Sequence, residues 1–75
     1  MRYLPDVIDE IIPLIPVPEH RELIEILGKI SDSAVFAPPW GQQLHWRRMA
    51  DALYTHLGRP DRQWKRRIQS VIRDA

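Results

Sequence analysis

The sequence predicts an all-α domain, a compact bundle of four principal helices with an irregular proline-rich connection between the second and third. Apolar residues recur at three- and four-residue spacing in four separate stretches, as on the buried side of amphipathic helices. Prolines cluster near the ends of those stretches, where they interrupt a helix at least cost. No stretch alternates apolar and polar residues as a half-exposed strand would. At 75 residues the chain is one domain, 1–75, close to the lower limit at which a single apolar core holds a fold without staples.

The first helix is expected over 5–14. Pro5 suits a first helical position because its missing N–H would be unpaired there anyway, and Val7, Ile8, Ile11 and Ile12 then share a face. Pro13 and Pro16 bracket its end. Pro18 restarts the pattern for a second helix over 18–30, with Glu19 and Glu22 in a first turn where the helix dipole favours negative charge. Leu23, Ile24, Leu27 and Ile30 form its apolar stripe. Gly28 inside that helix implies close packing by a neighbour or early fraying, and Arg21 is placed to pair with Glu25.

Residues 31–45 show no clean period, and Pro38-Pro39 forbids a regular helix through their middle. Val35, Phe36 and Trp40 are expected to cover the open end of the core, Trp40 being the most exposed of the three tryptophans. A third helix over 42–57 carries Trp46, Met49, Ala50, Leu53 and Leu57 inward, and Gly58 stops it. Arg59-Pro60-Asp61 makes a tight turn, with Asp61 as cap of a fourth helix over 61–74 that forms a hairpin with the third. Trp64, Ile68, Val71 and Ile72 face in; Arg62, Lys65, Arg66, Gln69 and Arg73 face out.

Charge divides between the halves. Residues 1–30 hold six acids against three bases, a net −3; residues 46–75 hold eight bases against three acids, a net +5; with Asp32 the chain totals +1. Two poles of this kind attract a copy, a similar domain or a polyanion.

Most chemistries lack their residues. Cysteine is absent, which removes disulfides and thiolate chemistry and fits a reducing, cytoplasmic location. The opening carries acids and prolines where a signal peptide needs a basic start and an unbroken apolar run, and nothing approaches the roughly 20 apolar residues of a membrane span. His45 and His56 stand three helical turns apart, about 16 Å, too far for one metal ion. His20 beside Arg21 is expected in solvent, and His56 suits the end of its helix. Ser31, Ser33, Ser70 and Thr55 sit in no nucleophile motif, and three glycines make no phosphate-cradling loop. No enzyme, metal or cofactor is expected.

Two binding readings and one without a partner remain open. The segment DRQWKRRIQSVIR, in the basic C-terminal helix 61–74, has the look of a recognition helix for DNA or RNA, although the acidic half repels phosphate unless it faces away. A small phage or defence-related inhibitor of one host protein is a further possibility. A basic face that merely keeps the domain soluble is the plainest.

Read whole, the chain resembles the effector-associated domains of bacterial conflict systems, small helical adaptors similar in logic to animal death-fold domains. The likeness rests on VIDEIIPLIP at 7–16, PEHRELIEIL at 18–27, His45 opening a helix after an irregular linker, and ADALYTHLGRPDRQWKRRIQSVI at 50–72. The resemblance implies a non-enzymatic, homotypic protein-interaction module that brings an effector to a signal. Its contacts are then expected between an acidic face of Asp9, Glu10, Glu22 and Glu25 and the basic face of Arg62, Lys65, Arg66 and Arg73 in a second copy, with Trp40 as a further anchor.

Overall fold

The chain was described as a computed structural model covering residues 2–74. Four helices make the fold, α1 (Leu4–Ile11), α2 (Arg21–Val35), α3 (Gln42–Leu57) and α4 (Gln63–Arg73), with short 3₁₀ turns at Ile12–Leu14 and Pro39–Gly41. Among the described residues there is no strand.

The shortest helix holds the centre. Leu4, Val7, Ile8 and Ile11 of α1 are completely withdrawn from solvent, because α1 packs against all three other helices. Leu23, Leu27, Ile30 and Ala34 from α2, Met49 and Leu53 from α3 and Ile68 from α4 close around it. This core is wholly aliphatic apart from Met49; Trp46, Trp64, Leu57, Val71 and Ile72 lie half-buried at its edge. Apolar spacing thus places each helix as expected, except that Ala50 faces solvent.

α2 begins and ends later than its sequence pattern implies. Pro18 does not open the helix: residues 17–20 form a turn, entered by a cis Val17–Pro18 bond and closed by the Arg21 N–H on the Pro18 carbonyl at 3.3 Å. The turn redirects the chain from α1 into α2, and helical geometry starts only after it. At the other end Ala34 extends the stripe of Leu27 and Ile30 by one turn, so the helix runs through Gly28 to Val35. No neighbour crowds Gly28, where a methyl group would meet open space. Arg21 and Glu25 form no ion pair.

The connection between α2 and α3 therefore shrinks to residues 36–41. It is pinned by Gln42, whose side-chain amide donates to the Ala34 carbonyl at 2.9 Å and the Ala37 carbonyl at 3.2 Å. With these bonds the loop holds its shape without burying its own apolar side chains, so Val35, Phe36 and Trp40 do not cover the core but stand 51%, 88% and 85% exposed.

α3 ends at Gly58, whose φ of 69° is open to glycine and costly for any other residue. Its N–H returns to the Tyr54 carbonyl at 2.8 Å. The Asp61 N–H then bonds the Arg59 carbonyl at 2.8 Å, a three-residue turn about Pro60. Arg62, not Asp61, is the N-cap of α4, and no side chain caps that end. The turn sends α4 across α1 and the Ile12–Leu14 turn instead of back along α3. The two last helices form no close hairpin; they splay apart and leave a cleft.

Candidate interaction surfaces

The eight charged side chains singled out in the sequence fall into two groups. Arg62, Arg66 and Arg73 are exposed along α4, joined by Arg67; Asp9 on α1 and Glu22 and Glu25 on α2 are exposed too, and among the described residues none of these carries an ion pair. Arg66 makes one bond, from Nε to the Pro60 carbonyl at 3.2 Å. No ion pair joins the acids of α2 to the arginines of α4, so the two charged faces do not neutralise each other within the molecule.

Glu10 and Lys65 are already engaged. Arg2 grips Glu10 with two guanidinium nitrogens, and that hydrogen bond chiefly holds the Glu10 carboxyl below its ordinary value. Lys65 was expected to face out. Instead its stem is half-buried and its ammonium group donates to the Leu57 carbonyl at 2.6 Å and to Asp61 Oδ1 at 3.1 Å. The carbonyl at the end of α3 has no helical partner of its own, which is why a cation from α4 settles there. The same ammonium depresses the Asp61 carboxyl, mainly through the hydrogen bond.

Trp64 contacts both Lys65 and His20. Lys65 Nζ lies 5.7 Å from the ring centroid, and the His20 ring, tilted by 48°, lies with its centroid at 5.6 Å. His20 is thus half-buried against α4 and not free in solvent.

Two apolar features complete the surface, and of their residues the sequence singled out only Trp40 as an exposed anchor. The first is a run of exposed apolar side chains about the α2–α3 connection, Val35, Phe36, Trp40 and Leu44, the last 58% exposed. The second is the α3–α4 cleft, about 260 Å³, with Leu53, Tyr54 and Leu57 on one wall, Ile68 and Ile72 on the other, and Lys65 at its end. Tyr54 is 69% exposed. Among the described residues no three acids or histidines gather to hold a metal ion, and no helix is long and apolar enough to cross a membrane.

No protein-family profile, curated protein or solved structure matches this chain.

Proposed function

We propose that the chain is a non-enzymatic protein-interaction module, an adaptor that binds a similar domain and so brings an effector to a signal, as in the bacterial conflict systems whose effector-associated domains it resembles. One observation carries this reading: among the described residues Arg62, Arg66 and Arg73 lie exposed and without an ion-pair partner on α4, while Asp9, Glu22 and Glu25 lie exposed and without one on α1 and α2. Opposite faces of one small body cost little to keep apart in water, and each becomes more favourable when a complementary face displaces its counter-ions. Because the faces differ, their contact is head-to-tail and extends into chains or rings.

Sizing at low ionic strength tests it. Self-association, or pairing with a similar domain, is expected, weakening as salt rises and lost when Arg62 and Arg66 both become glutamate; a monomer that pairs with nothing of the kind refutes the reading. A nucleic acid along α4 is the second reading, favoured by the four exposed arginines there, and it requires a mobility shift at low salt with a steep salt dependence.

A further inference from the structure

One face of α3 turns away from the rest of the molecule. Met49 and Leu53 point into the core, whereas Trp40, Leu44, Arg47, Asp51, Tyr54 and Gly58 are all exposed. At about 100° per residue these six fall within an arc of about 80° on the side of the helix opposite Met49. Trp40 belongs to the row because the Pro39–Gly41 turn runs directly into α3. The positions alternate in steps of four and three, the spacing of a coiled-coil seam, and among the described residues no helix of the chain covers it.

The row matches itself when reversed. Trp40 and Gly58, Leu44 and Tyr54, and Arg47 and Asp51 stand at equal distances either side of Met49, so in a second copy laid antiparallel each residue meets the other member of its pair. Two Arg47–Asp51 pairs then occupy the middle. Leu44 meets the Tyr54 ring on either side of them, and at the ends Trp40 lies over Gly58, where even a Cβ would meet open space. Among the described residues neither Arg47 nor Asp51 has an ion-pair partner of its own, although they stand one turn apart. The flanks agree. Arg48 reaches back to within 3.5 Å of His45 Nδ1 and, in the reversed copy, borders Asp51 as well; Ala50 on the other flank is small enough for close approach. A parallel copy would instead set Arg47 against Arg47 and Asp51 against Asp51, which like charges oppose.

We infer that this face of α3 pairs antiparallel with the same face of a second copy, across a two-fold axis level with Met49. Such a contact is isologous and closes at two. It shares no charged side chain with the head-to-tail contact proposed above and does not depend on it. One helix laid on another buries less than the roughly 1,200 Å² of a stable interface, so the pairing is weak and belongs to concentrated chain, not to dilute sizing.

Sedimentation equilibrium at millimolar concentration tests it, on a parent chain carrying Arg62→Glu and Arg66→Glu so that head-to-tail assembly is removed. The parent is expected to reach twice the 8.9 kDa chain mass and no more. Arg47→Asp or Asp51→Arg, added singly, opposes like charges at both central positions and is expected to weaken pairing by about 10-fold or more, with thermal melts unchanged. Mixing those two chains is expected to restore pairing as a 1:1 heterodimer, since every central contact then joins opposite signs. Both substitutions in one chain are expected to restore it too. A parent that stays monomeric, single variants that pair as well as the parent, or a charge swap that restores nothing overturns the inference; the head-to-tail reading is judged apart from it, on the chain with Arg62 and Arg66 intact.

Discussion

Replacing Lys65 by methionine isolates the one bond by which α4 is tied to the end of α3. The side chain is only 17% exposed, and an unbranched apolar stem of similar length keeps its packing. What is lost is the ammonium donor to the Leu57 carbonyl at 2.6 Å, together with a contact to Asp61 at 3.1 Å that is exposed and adds little. A hydrogen bond from a charged donor contributes about 1.5–3 kcal/mol, and partial access of water favours the middle of that range, about 2 kcal/mol. In a domain of this size each kcal/mol moves Tm by about 4–8 °C, so Lys65→Met is expected to melt about 8–16 °C lower. Differential scanning calorimetry measures the shift, and amide exchange should quicken in the last turn of α3. Asp61→Asn, which spares the carbonyl bond, is the control and should melt close to wild type. A Lys65→Met melt within about 3 °C of wild type would show that the tether contributes little to stability and refute the argument.

Gly28→Ala is expected to raise stability by about 0.5–1 kcal/mol in urea titration, since the position is helical and open around the added methyl. Gly58→Ala is expected to lower it by about 1–2 kcal/mol, because φ is 69° there although the space is equally open. Gln42→Ala removes both bonds that pin the connection, and proteolysis between residues 36 and 41 should speed up while the aliphatic core stays protected from exchange. Acid should weaken the fold in a defined direction. Glu10 and Asp61 both have carboxyls depressed by a cationic partner, so their contribution is complete above the unfolded carboxylate value and is lost as pH falls through the lower folded one. Both carboxyls are exposed, so Tm is expected to be flat from about pH 7 to 5 and to fall only slightly below about pH 4; a rise on acidification would contradict the assignment.

Much of the fold is legible from spacing alone. Val7, Ile8 and Ile11, or Leu23, Leu27 and Ile30, repeat at the helical period and are buried where that period puts them. Ends are harder to read. Pro18 satisfies every local rule for a first helical position and still lies in a turn, because the direction of α2 is set by the packing of α1 beneath it. Ala34 marked the true extent of α2 but is too small to stand out as a core residue. The connection misleads for another reason: apolar side chains are ordinarily buried, and no sequence rule says that Gln42 frees Phe36 and Trp40 from that need. Lys65 and Asp61 were assigned from a single helix, whereas what Lys65 binds belongs to the helix before. The charged faces were visible in composition; the cleft, which depends on the angle between α3 and α4, was not.

The exclusion of every aromatic ring from the fully buried core gives the protein a built-in optical label. Trp46 and Trp64 lie at the edge of the aliphatic interior, so their emission follows unfolding, whereas Trp40 already emits from an aqueous setting in the native monomer and changes little on denaturation. A blue shift from Trp40 at constant helicity would report that its ring had left water.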